Sequence, residues 1–168
     1  DEVPSRGLGD VYKRQSVGSF LSIHNMVGGM IDKFGSDQNK ESFLPDLCSM
    51  KKIFSYCLTE PGSGSDASAL KTKATRTNEG FILNGTKSFI SGGAYSNAYL
   101  TMTRTGEDGP KGISAIIVED PSDGLSFGAF EDKMGWKAQP TAQVQFDDCR
   151  VPSSNLIGDE GYGFTYAM

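Results

Sequence analysis

Between residues 51 and 150 the chain is a succession of short alternating runs separated by Gly- and Pro-containing turns, and this restricts the fold more than any other feature. IFSYCLTE reads as the first strand, and LKTKATRT alternates as a half-exposed strand does. EGFILNGTKSFIS places two β-favouring runs around Asn84-Gly85, the residue pair that suits a type I′ turn, which predicts a hairpin. NAYLTMTRT, GISAIIVE, GLSFGAF and TAQVQFDDC follow as further strands. Several short strands at this spacing imply a barrel or a sandwich.

The flanks have a different period. From Ser16, the apolar residues Phe20, Ile23, Val27, Met30, Ile31 and Phe34 recur at helical spacing, and Gly35 is placed to end the helix. Ser36 can cap a second helix over SDQNKESFLPDLCSM, with Phe43, Leu44 and Leu47 on one side and Pro45 expected to restrict or kink it. The first fifteen residues show neither period and carry no apolar core of a signal peptide, and they read as a non-native leader. After Cys149 the β pattern is left through Pro152, and a new helical element is expected near Gly161, cut short at Met168. The predicted class is therefore α+β: helices over 16–50, a β domain over 51–150, and the start of more helix over 151–168.

Composition excludes several functions. With a net charge of −5 and Lys and Arg scattered among Asp and Glu, no basic stripe is available to follow a nucleic-acid backbone. The longest apolar runs, such as ISAIIV, fall far short of the ~20 residues that span a bilayer. Cys48, Cys57 and Cys149 are odd in number and lack CxxC or metal-ligand spacing, so they read as reduced thiols serving as small core residues, and no metal site is expected. His24 is the only histidine, and on an apolar helix it reads as a satisfied packing residue.

The stretch CLTEPGSGSDASAL, Cys57 to Leu70, carries the chemistry. Gly62 and Gly64 leave PGSGSD without bulky side chains, so its backbone N–H groups could converge on an anion as in a nest, with the Thr59 and Ser65 hydroxyls as further donors. The same residues would also serve as a plain surface loop. It is neither a GxGxxG fingerprint nor a P-loop, since no GK[ST] follows. Glu60 and Asp66 have the makings of an acid/base pair, but read better as loop-fixing groups that accept backbone N–H bonds.

Residues Cys57 to Asp66, with Ala69 beyond, resemble the signature of the flavin-dependent acyl-CoA dehydrogenases. NGTKSFIS, GPKGISAIIVE and KMGWKAQPTAQVQFDDCRVPSSNLIGDEGYGF resemble further segments of that family in the same order, so the similarity runs from about Ser16 to Met168. SIHNM, GLSFG and GW followed by QPT favour the isobutyryl-CoA branch. The resemblance implies an acyl-CoA dehydrogenase fold in part, with FAD lying against the β domain. Tyr56, Cys57, Leu58, Thr59, Gly64 and Ser65 would form the flavin-binding turn, with Ser65 also facing the CoA side. Phe89, Ile90 and Ser91 would form the second flavin wall; many relatives carry Trp and Thr where this chain has Phe89 and Ser91. The family's glutamate base belongs to a C-terminal helical domain expected beyond Met168, so no catalytic residue is assigned within this chain, which is expected to be inactive alone. The resemblance also implies an acyl-CoA substrate, an electron-transfer flavoprotein as acceptor, a homotetramer, and a mitochondrial matrix location in a eukaryote or a cytoplasmic one otherwise. Competing readings are another short- or branched-chain dehydrogenase, an acyl-CoA oxidase, and a non-catalytic β-barrel ligand module.

Overall fold

The computed structural model describes residues 15–168. Helix α1, Gln15–Phe34, buries His24, Val27, Met30 and Ile31 along one stripe, as the spacing predicts. Helix α2, Asp37–Cys48, opens with Ser36 as N-cap: its hydroxyl oxygen accepts the Asn39 N–H, and the Asn39 side chain accepts the Ser36 N–H in return. The helix continues through Pro45 to Cys48, whose side chain is exposed rather than in the core. The leader expected over 1–15 lies outside the described residues except for Gln15, which is already helical.

The strands are β1 Phe54–Cys57, β2 Lys73–Arg76, β3 Gly80–Ser91, β4 Ala98–Arg104, β5 Ile113–Glu119, β6 Leu125–Phe127, β7 Thr141–Pro152 and β8 Leu156–Ile157. They form one mixed sheet in the order β6-β7-β3-β2-β4-β5-β8, with β1 parallel to β4 beside that path. A short helix α3, Gly163–Ala167, lies near the expected restart. β4 and β5 are buried on both faces, and their alternation splits the core in two. Leu100, Met102 and Ile117 face α1 and α2 with Val27, Ile31 and Phe43. Tyr99, Ile116 and Val118 face the other way, toward Leu83, Val144 and Phe146.

The hairpin expected at Asn84-Gly85 does not form. Gly80–Ser91 is a single strand that pairs with β2 on one side and β7 on the other, so its two halves do not fold back on each other. A type I′ turn needs positive φ at both central residues, and only Gly85 has it, at 148°. The register with β7 shifts between Leu83 and Gly85, the mark of a bulge. Thr72 packs so closely there that a Cβ on Gly85 would stand 2.7 Å from its Cα. The Asn84 side chain spans the irregularity, donating to the Asp148 carboxylate and accepting the Asp148 N–H, each at 2.9 Å.

Candidate functional site

Two chain segments meet at the end of β1. Residues Leu58–Glu60 continue from β1, and residues Lys87–Ser91 close β3. Ser88 N–H donates to the Thr59 carbonyl at 2.8 Å. The Lys87 ammonium, fully buried, donates to the Leu58 carbonyl at 3.0 Å and to Glu60 Oε1 at 2.8 Å. The Glu60 carboxylate also accepts the backbone N–H groups of Lys71, at 2.6 Å, and Thr72, at 2.9 Å. Burial alone would raise the Glu60 carboxyl's pKa, but the Lys87 charge and these hydrogen bonds outweigh it and hold the pKa below the ordinary carboxylate value. Burial pulls the Lys87 ammonium below its ordinary value, with Glu60 opposing. Removing either partner of such a buried pair costs about 3–5 kcal/mol, because the other charge is left uncompensated.

Just past Lys87 the β3–β7 register shifts again, between Lys87 and Ile90. Phe89 takes a left-handed φ of 58° there, uncommon for a bulky residue, and its ring is 66% exposed. Its neighbour Ile90 is buried in the half of the core that holds Leu83, Val144 and Phe146. Phe89, Ile90 and Ser91 form one wall of a groove whose other wall is Tyr56, Leu58 and Thr59, with Ile23 of α1 at its side; the cavity volume is about 190 Å³. Whole ligand pockets usually measure ~300–1,000 Å³, so this groove suits part of a flat ring system rather than a whole dinucleotide. The Tyr56 hydroxyl is buried without a protein partner, and burial, helped by Cys57, holds its pKa up, so it remains a donor. An orphaned donor and an exposed aromatic at a strained residue fit a heteroaromatic ligand that brings its own acceptors. A roomier cavity of about 450 Å³ lies by Trp136 and the start of α1, and none of the residues expected to bind the cofactor lines it.

Of the residues singled out from the sequence, six therefore share the groove: Tyr56, Leu58, Thr59, Phe89, Ile90 and Ser91. The Cys57 side chain packs in the half of the core that holds Leu83, Val144 and Phe146, since side chains alternate along β1, and burial pushes its thiol pKa up to about 12 despite Lys87 and a hydrogen bond with Thr101. Gly64 and Ser65 are exposed and do not line the groove. The nest expected in PGSGSD is not formed: none of residues 60–66 has the positive φ that the motif alternates with helical geometry. Instead Glu60 and Ser63 exchange both backbone hydrogen bonds, and the Ser63 hydroxyl donates to the Asp66 carbonyl. Glu60 is the loop-fixing group expected, whereas the Asp66 carboxylate accepts the Ser68 hydroxyl. His24 is satisfied on both nitrogens, by Leu47 and Phe54.

Sequence reasoning missed two contributors. Ile23 reads from its spacing as one more core residue, yet it borders the groove. Lys87 sits at an inward position of an alternating run, and a lysine there signals a buried partner.

The acyl-CoA dehydrogenase middle-domain model matches residues 55–149, and the N-terminal-domain model of the same family matches residues 11–51. An isobutyryl-CoA dehydrogenase of Bos taurus mitochondria is 54% identical over 91% of this chain and 37% of its own length. One from Dictyostelium discoideum is 50% identical over 99% of this chain and 46% of its own. Butyryl-CoA dehydrogenase from Megasphaera elsdenii superposes with a TM-score of 0.87 at 38% identity, covering 90% of this chain and 40% of that one. A FAD complex of PigA superposes at 0.89 with 29% identity, covering 92% and 41%. The chain spans less than half the length of the curated relatives it matches. The middle-domain match begins in β1 and ends in β7, so it contains both walls of the groove, and the chain belongs to the acyl-CoA dehydrogenase family.

Proposed function

We propose that this chain supplies the flavin-binding part of a FAD-dependent acyl-CoA dehydrogenase whose substrate is isobutyryl-CoA, oxidised to methacrylyl-CoA. One observation carries the reading: the groove that places Tyr56 and Thr59 across from the exposed Phe89 and Ser91. FAD, when bound, supplies the acceptor for the hydride that leaves the β carbon as a base removes the α proton. The chain's own residues bind and orient. Phe89 offers a flat apolar face, and the Thr59, Tyr56 and Ser91 hydroxyls offer donors where negative charge builds up. Among the described residues no carboxylate lines the groove, and Glu60 is turned into its pair with Lys87, so these residues contribute binding and leave proton abstraction to another group. Gly64 and Ser65, exposed beside the loop, and Cys57, through its backbone, complete the proposed flavin turn, with Ser65 toward the CoA side.

The isobutyryl-CoA relatives support the branched substrate, while the butyryl-CoA dehydrogenase neighbour keeps a straight chain as the competing reading. The same family reading extends to an electron-transfer flavoprotein as acceptor, a homotetramer and, following the relatives named as mitochondrial, the matrix. The test is anaerobic addition of isobutyryl-CoA, butyryl-CoA or 2-methylbutyryl-CoA to the full-length yellow protein. Preferential bleaching by isobutyryl-CoA is expected. Faster bleaching by another thioester moves the substrate, peroxide production in air exposes an oxidase, and a protein that never takes up FAD ends the flavin reading.

A further inference from the structure

Neither Glu60 nor Lys87 lines the groove, yet each is one or two residues from a wall and Lys87 donates to the carbonyl of Leu58 in one of them. Lys87 precedes Phe89 by two positions, and Glu60 follows Thr59 directly. The β7 ladder does not set the height of Phe89, because the register shift between Lys87 and Ile90 frees that part of β3 from it. What holds it instead is the other side: Ser88 N–H on the Thr59 carbonyl, and Lys87 Nζ on both the Leu58 carbonyl and Glu60. Glu60 reaches further. Through the Lys71 and Thr72 amides it fixes the segment that packs against Gly85, the first irregularity of β3. One carboxylate thus links both places where β3 departs from its ladder.

Fold stability is a poor reason for such a pair, since well-packed apolar residues of similar volume usually do as well or better than a buried ion pair. We propose, on the flavin reading given above, that Glu60 and Lys87 are positioning residues for the cofactor groove. Their ion pair sets the placement of Phe89 and Ser91 relative to Leu58 and Thr59, and so the fit of the flavin ring between them.

The test compares Lys87→Met, Glu60→Gln and the double variant with the wild-type protein. Apoprotein unfolding, the FAD dissociation constant from flavin fluorescence, and the visible band shape of bound flavin are measured well below each melting temperature. The expected result is unchanged far-UV circular dichroism with FAD affinity lowered about tenfold or more. Bound flavin should show an altered band shape, and the double variant should lose no more than the worse single one. Glu60→Gln keeps the side-chain volume and one acceptor oxygen, which can still serve the Thr72 N–H and Lys87, while its NH2 takes the place of the oxygen that accepts the Lys71 N–H; it carries the test if Lys87→Met fails to fold. Lowered melting temperatures with wild-type FAD affinity and spectrum would show a purely scaffolding pair and overturn the proposal. A wild-type protein without FAD affinity would instead overturn the flavin reading, and this inference with it.

Discussion

His24 Nδ1 accepts the backbone N–H of Phe54 at 3.1 Å, tying α1 to the first residue of β1. Its Nε2 stands 3.0 Å from the Leu47 carbonyl, which can only accept, so the neutral ring carries its proton on Nε2. One imidazole therefore joins both helices to the strand that leads into the groove. His24→Phe keeps a ring near Phe54 but strands the Phe54 N–H, while the Leu47 carbonyl still accepts the Met50 N–H, and should cost roughly 1–3 kcal/mol in urea unfolding. A loss under ~0.5 kcal/mol, typical of inconsequential surface changes, would contradict this role.

Gly85→Ala should destabilise by roughly 2–4 kcal/mol. At φ 148° any side chain is strained, and the added methyl would meet Thr72 Oγ1, Cα and Cβ at 2.6–2.9 Å. A hairpin turn at Asn84-Gly85 would tolerate alanine much better, so thermal melting of this variant also tests the continuous strand.

Phe89 should separate binding from folding. Its ring is largely exposed and its backbone strained, so Phe89→Gly should leave the melting temperature unchanged or raise it. FAD affinity should fall about tenfold with the loss of the flat apolar wall. Unchanged affinity in a fluorescence titration would remove Phe89 from the site.

The Glu60 carboxyl gives stability a defined dependence on acid. Its folded pKa lies below the unfolded value of ~4.3, so its stabilisation is present above that value and disappears as pH falls through the folded one. The Cys57 thiol beside it stays protonated throughout that window, since burial pushes its pKa up to about 12. The stability gap between wild type and Glu60→Gln should thus be widest near neutrality and shrink in acid. A gap independent of pH down to about 2 would mean that the charge on Glu60 contributes nothing.

Thiol labelling should find one fast cysteine. Cys48 is exposed on α2, whereas Cys57 and Cys149 are buried, with burial pushing their pKa values up to about 12 and about 11. Native protein at pH 8 should therefore react at a single thiol, and all three should react in denaturant. Fast native labelling of Cys57 would contradict its inward orientation.

Both helices were legible because amphipathic spacing and the Ser36 cap are local signals, and the strand positions were legible because alternation is local too. The Asn84-Gly85 error had a local cause: the dipeptide favours a turn, but Thr72 packing on one side and the Asn84–Asp148 exchange on the other turned it into a bulge. PGSGSD failed as a nest for a similar reason, since the Glu60–Ser63 hydrogen bonds close it on itself. That the Cys57 side chain turns into the core was not legible, because membership of a motif says nothing about which face of β1 a side chain takes.

From the sequence alone came the two element periods, the helix boundaries and the residue types that border the groove: aromatic, hydroxyl and small apolar positions at the ends of two strands. Only the tertiary structure decided that Tyr56, Leu58 and Thr59 stand across from Phe89, Ile90 and Ser91, that Ile23 joins them, and that Lys87 is buried against Glu60. The division is physical. Periodicity and caps depend on neighbours within a turn or a strand, whereas a groove depends on which bulge releases a residue from its ladder and which distant carboxylate holds it.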